Sequence, residues 1–220
     1  MPNIKLTYYD YPGHAEAIRL ALRIGEIPFE DIRLHPSELP NIEDELPYGS
    51  LPTLSVDGEV YSHSSSILRF VGKQAGLYPN EELAALRVDE VIDTILDFFH
   101  GLESLDKDVE SYFDDVKKYL INSVPRYLGG LDSRLKQFGD GPWAVGDSIS
   151  IADLAVYVCV LYIKAGAFEL LTPEEVVEYE RLRSCAEAVR EHPRVIEWNE
   201  CVANKAAALK QRHSEMQNTR

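Results

Sequence analysis

Apolar and polar residues alternate at the start of the chain. Ile4, Leu6 and Tyr8 stand between Lys5, Thr7 and Tyr9, the period of two expected of a strand with one buried face. Beyond Pro12-Gly13 the period lengthens, with Ile18, Ala21 and Leu22 at helical spacing and Gly25 placed to end that helix. The run "FEDIRL" predicts a second strand, and "SELPNIEDEL" an irregular, acidic, partly helical connection. In "LPTLSVDGEVYSHS" two alternating runs flank Asp57-Gly58, a favoured two-residue hairpin turn, which predicts two antiparallel strands. "SSSILRFVGKQAG" adds a helix with a serine-rich first turn and an end marked by Gly76. The predicted order is strand, helix, strand, short helix, hairpin, helix.

From "LYPNEE" onward strand signals stop, so a boundary is expected near residues 78–84, between an α/β domain at 1–78 and an all-helical domain at 85–210. Val88, Ile92, Ile95 and Phe99 keep one apolar face of the first helix, while Asp89, Asp93 and Asp97 form an acidic stripe at four-residue steps. Further helices are expected over about 109–138, interrupted by Pro125, and over 150–165, 174–190 and 194–209, with a polar tail that frays. "ISIAD" carries its own start signal: Ser150 can cap, Asp153 can return the bond, and Ile149 can pack on Leu154.

Composition narrows the classes of function. A chain of 220 residues can bury about 70% of its unfolded surface. The apolar run "IADLAVYVCVLYI" is far below the ~20 residues of a membrane span, so it reads as a helix buried on all sides. A net charge of -15 opposes binding to nucleic acid or anionic lipid, which rely on clustered Lys and Arg. Three cysteines, an odd number without metal-ligand spacing, and the lack of an export signal fit a reduced cytoplasmic protein.

Several chemistries are excluded by residue type. An α/β domain of this order suits a thiol-disulfide catalyst, but residues 1–158 contain no cysteine to place at the first helix N-terminus. There is no Gly-rich phosphate loop, no HExxH and no nucleophile elbow, and the six histidines show no local ligand pattern. Any sulfur chemistry must use a thiol that arrives with a bound cofactor.

"PNIKLTYYDYPGHAEAIRLAL", "LPYGSLPTLSVDG" and "HSSSILRFV", followed by "VIDTILDFF" and "VGDSISIADLAVY", resemble the cytosolic glutathione transferases, most of all their sigma class. The resemblance runs from Pro2 to about Ala206. It implies a thioredoxin-like N-terminal domain, an all-α C-terminal domain, a homodimer, and transfer of glutathione as co-substrate to a hydrophobic electrophile. By resemblance Tyr8 donates its hydroxyl to the glutathione sulfur, and Tyr9, on the other face of the strand, packs. The choice of residue is physically apt. A thiol with pKa ~8.5 is only about 3% thiolate at pH 7, and two units of depression make it about three-quarters thiolate. The resemblance also implies a glutathione site at Gly49, Ser50, Leu51, Pro52, His63 and Ser64, with a cis bond before Pro52. It implies an Asp97 that reaches across the dimer to the γ-glutamyl ammonium, and an acceptor pocket around residues 100–112. Helix amides behind Ser64 suit a carboxylate.

Three departures stand out. His14 replaces an arginine near the sulfur, which makes it a candidate thiolate modulator, because an imidazole changes charge near neutral pH and a guanidinium does not. His63 replaces a glutamine, and Leu39 and Glu43 replace the Trp and Lys that bind the glycyl carboxylate. The family's aspartate cluster for a metal is broken by Leu96, so no metal is expected. Two rivals are a low-turnover binding or structural protein of the same fold and a glutathione-dependent isomerase of the prostaglandin D synthase type.

Overall fold

The computed structural model describes residues 2–105, 109–164 and 178–218. Four strands, β1 (Ile4–Tyr9), β2 (Glu30–Leu34), β3 (Thr53–Val56) and β4 (Glu59–Ser62), form one sheet in the order β2-β1-β3-β4. β1 runs parallel to β2, with Tyr8 opposite Arg33, and antiparallel to β3, with Leu6 opposite Leu54. A parallel pair needs a crossover, which α1 (Glu16–Ile24) supplies. Burial alternates along β1, so Ile4, Leu6 and Tyr8 face the core. The β3–β4 hairpin turns at Asp57 and Gly58, whose φ values of 52 and 95 are the left-handed pair that a two-residue type I′ turn requires.

The acidic connection holds a single turn, α2 (Leu39–Ile42), between two 3-10 turns, and α3 (Ser64–Gln74) completes the first part of the chain. The helices that follow are α4 (Glu82–Glu103), α5 (Tyr112–Ser123), α6 (Gly130–Phe138), α7 (Ile151–Lys164), α8 (Glu180–Arg190) and α9 (Pro193–Asn218). This is a small mixed sheet with helices, followed by a helical region, as the resemblance implies. Residues 151–160 of α7 are all buried, which explains its unbroken apolar sequence.

Pro125 interrupts the α-helical run as expected: α5 ends at Ser123, Val124–Gly129 forms a π-helical stretch around the missing N–H, and α6 resumes at Gly130. One expectation changes. α9 continues to Asn218, because nothing after Pro193 breaks it and the alanines at 203 and 206–208 favour helix. Residues 174–177 of the expected fourth helix lie outside the described residues.

The start of α7 is built around Asp153, which is fully buried. Its Oδ2 accepts the Ser150 amide at 2.7 Å and the Ser150 hydroxyl at 2.8 Å, and its Oδ1 accepts the Ala144 amide at 2.6 Å and the Cys185 thiol at 3.1 Å. The expected return bond forms, but the Ser150 hydroxyl donates to Asp153 instead of capping. Asp89 and Asp93 of the acidic stripe hold Arg69 of α3 at 2.6 and 2.7 Å, and the Tyr78 hydroxyl donates to Asp89 at 3.0 Å. That clamp ties α3 to α4.

Candidate active site

Tyr8, at the end of β1, is 3% exposed and reaches a cavity of about 360 Å³ walled by α1, α3, α4 and α7. The Pro12-Gly13 turn brings the chain back over the phenol. Gly13 has φ +50, and its backbone lies so close that a Cβ would stand 2.4 Å from the Tyr8 oxygen. Only glycine fits both the conformation and the approach. The next amide, His14 N–H, donates to the Tyr8 oxygen at 3.2 Å. Burial first, then the neighbouring Tyr11 phenol, pushes the Tyr8 pKa far up, so the group is a neutral O–H. Burial likewise pushes Tyr162, across the cavity, up to about 12.

The His14 ring is partly exposed, and its Nε2 lies 2.8 Å from the Glu103 carboxylate of α4. This pair joins the first turn after β1 to the helical region at the edge of the cavity. Tyr9 stacks on Tyr11 with centroids 5.4 Å apart, consistent with packing.

Of the residues picked out in the sequence, Tyr8, His14 and Ser64 meet at this cavity. His63, not Ser64, holds the N-cap position of α3. It does so with φ 69 and ψ 110 and no side-chain cap bond, a left-handed conformation that a non-glycine residue adopts at a cost. Ser64 therefore opens the helix, and Ser65 joins it in the wall. The His63 ring faces a separate cleft and lies 5.0 Å from the Tyr48 ring. Gly49, Ser50, Leu51 and Pro52 form the segment before β3. The Leu51-Pro52 bond is cis, Pro52 is buried, and the Glu43 side chain lies against Gly49, where a Cβ would meet its Oε1 at 3.3 Å. Asp97 is exposed on α4 and makes no hydrogen bond or ion pair among the described residues. None of these six lines the cavity that holds Tyr8.

The acceptor wall differs from the expected segment. Residues 106–108 of the 100–112 window lie outside the described residues, and of the rest only Glu103 reaches the cavity. The wall is instead a stripe of α4, Ile92, Ile95, Leu96 and Phe99, facing Ala155, Val158 and Tyr162 of α7. Ile92, Ile95 and Phe99 were legible as an apolar face and the 151–163 run as a helix buried on all sides, but nothing local to either distinguishes a cavity wall from a packed core. Among the described residues no cluster of three His, Cys, Asp or Glu side chains is arranged to hold a metal, and no helix is long and apolar enough to cross a membrane.

Residues 92–201 match the family described as glutathione S-transferase, C-terminal domain. Haematopoietic prostaglandin D synthase of Gallus gallus is 32% identical over 201 residues, 90% of this chain and 96% of that protein. Glutathione S-transferase 1 of Ascaris suum is 31% identical over 203 residues, with the same coverage of each chain. Among solved structures, that of the rat prostaglandin D synthase with a quinoline superimposes with a TM-score of 0.79 at 30% identity, covering 90% of this chain and 96% of that one. The prostaglandin synthase D of Nilaparvata lugens gives a TM-score of 0.80 at 27% identity, covering 90% and 98%. A four-stranded mixed sheet with a tyrosine at the end of its first strand, a helical region behind it, and likeness along nine-tenths of the chain lead to one assignment: the chain belongs to the glutathione S-transferase family.

Proposed function

We propose that this transferase conjugates glutathione to hydrophobic electrophiles through a thiolate that Tyr8 stabilises. The observation that carries the reading is the state of the Tyr8 hydroxyl: buried, held neutral, already accepting the His14 amide, and facing a cavity. A phenol in that state donates to an anion more strongly than to a neutral thiol, which favours ionisation of the bound thiol. The thiolate then attacks the electrophile; the sulfur–carbon bond forms, and the leaving group departs with its electron pair or an added proton quenches the adduct.

Glutathione lies, on this reading, along the Gly49–Pro52 segment and the open N-terminus of α3, where the amides behind Ser64 and Ser65 attract the γ-glutamyl carboxylate. The α4 and α7 stripes bind the acceptor. The division into a glutathione domain at 1–78 and a helical domain at 85–210 belongs to the same reading, as does a cytoplasmic location, which three unpaired cysteines favour. A homodimer is supported by the exposed aromatics Tyr48, Tyr61 and Phe70 around one cleft, and by an Asp97 left free to serve a neighbouring subunit.

One observation favours the low-turnover rival. The Glu43 carboxylate beside Gly49 places negative charge where a glycyl carboxylate would be bound. Glutathione-affinity retention measured beside turnover with 1-chloro-2,4-dinitrobenzene separates the two. Retention with turnover supports the transferase, and retention alone supports the binding protein.

A further inference from the structure

Arg19, on α1, is completely buried and is shared among an unusual set of partners. Its Nη1 donates to the carbonyls of Tyr11 and Pro12, each at 3.1 Å, and its Nη2 to the carbonyl of Tyr9 at 3.3 Å. Its Nε donates to Asp31 at 3.0 Å, and its guanidinium carbon lies 5.8 Å from the centroid of the Tyr8 ring. One side chain thus grips three carbonyls of the loop that leads from Tyr8 to Gly13. The conformation of that loop decides where the His14 amide meets the Tyr8 oxygen.

The remaining Nη1 contact is to Glu16 Oε2 at 3.2 Å, and Glu16 is itself 5% exposed. Its other oxygen, Oε1, accepts the indole N–H of Trp198 at 2.6 Å. Trp198 is 4% exposed, comes from α9, lines no part of the Tyr8 cavity, and has the guanidinium groups of Arg23 and Arg33 over its ring at 5.0 and 5.6 Å. Arg33 completes the circuit, donating to Asp31 at 2.8 Å and to Asp10, in the same loop, at 3.1 Å.

We infer that Trp198 is a positioning residue for the reaction, acting through Glu16 and Arg19 to fix the loop that sets the surroundings of the Tyr8 hydroxyl. This rests on the reading of Tyr8 as the donor to the thiolate. The physical reason is scarcity of partners in a dry site. Without the indole N–H, Glu16 Oε1 becomes a buried acceptor without its donor, and Arg19 already donates to the other oxygen of the same carboxylate. A carboxylate that turns toward Arg19 draws the guanidinium from the carbonyls of residues 9, 11 and 12. The loop then loses its fixed register, and small misplacement of a catalytic group is costly in rate.

The test is Trp198→Phe, which removes the N–H donor while keeping an aromatic ring, beside Glu16→Gln, which keeps an acceptor for the indole but removes the charge facing Arg19. Two readouts are taken with the proteins folded at 25 °C: the pKa of bound glutathione from thiolate absorbance, and kcat and KM with 1-chloro-2,4-dinitrobenzene. Both variants are expected to raise the bound-thiol pKa by about half a unit and to lower kcat about threefold to tenfold with little change in KM for glutathione. A lower melting temperature with thiol pKa and kcat unchanged would make the network purely structural and overturn the inference. If Trp198→Phe does not fold, the wild-type protein answers by reciprocity: glutathione binding should slow amide exchange in residues 194–202, and unchanged exchange there overturns the inference. Tyr8→Phe is the control that separates the two claims. If it leaves the thiol pKa in place, the functional reading fails; if it raises that pKa and Trp198→Phe does not, only the positioning role fails.

Discussion

The ring of Tyr8 occupies the space that a side chain on Gly13 would need: a Cβ there would lie 2.4 Å from both the hydroxyl oxygen and Cε1 of the phenol. The turn and the donor are therefore fitted to each other. Gly13→Ala must move the ring and also hold alanine at φ +50, which alone costs about 1–2 kcal/mol. We expect a lower unfolding midpoint together with a loss of kcat/KM of about tenfold or more. An alanine variant with the wild-type rate would mean that the position of the ring is immaterial.

His14→Arg tests the contact with α4. Arginine keeps its charge over the whole accessible pH range and can still pair with Glu103. The bound-thiol pKa should fall and the rate near pH 7 should rise. Superimposable thiolate titrations, with the variant folded and binding glutathione normally, would leave His14 as a packing residue of the turn.

The elevated Tyr8 pKa carries a signed prediction. Burial raises it above its unfolded value of about 10, so the folded state holds this proton more tightly than the unfolded chain. The stability it contributes is fully present below pH ~10 and is lost as pH rises above that value. The alkaline loss of stability should therefore be smaller in Tyr8→Phe than in wild type, as measured by denaturant unfolding at pH 8 and above pH 10. The rate of the wild type should show no descending limb below pH ~10 from ionisation of Tyr8.

Arg69→Ala should lower stability by about 1–2 kcal/mol, since it leaves the partly buried Asp89 with only the Tyr78 hydroxyl. Asp93 is 60% exposed and should contribute little. Denaturant unfolding of Arg69→Ala beside Asp93→Ala checks the ranking, and equal losses would contradict it.

This clamp also marks what the sequence could and could not show. The Asp57-Gly58 turn and the Ser150–Asp153 start of α7 were legible because their determinants lie within a few residues, in backbone conformation and local hydrogen bonding. Arg69 is 20 residues from Asp89, so nothing within the acidic stripe itself pointed to the clamp. Tyr8, Ser64 and His14 were picked out by resemblance, and their meeting at one cavity depends on the crossover and on α3. Glu103, Tyr11, Tyr162 and the circuit from Trp198 to Arg19 had no local signal, because each depends on elements brought together from distant parts of the chain.

The central claim is that the Tyr8 hydroxyl holds glutathione as its thiolate, and ultraviolet titration of bound glutathione in wild type and Tyr8→Phe measures it most directly. The account predicts a thiol pKa below the free value of about 8.5 in wild type and a return toward that value in Tyr8→Phe. It also predicts a rate loss of about 100-fold or more, with glutathione affinity within a few fold. Equal thiol pKa values in the two proteins, with Tyr8→Phe keeping more than about half of the wild-type rate, would contradict it.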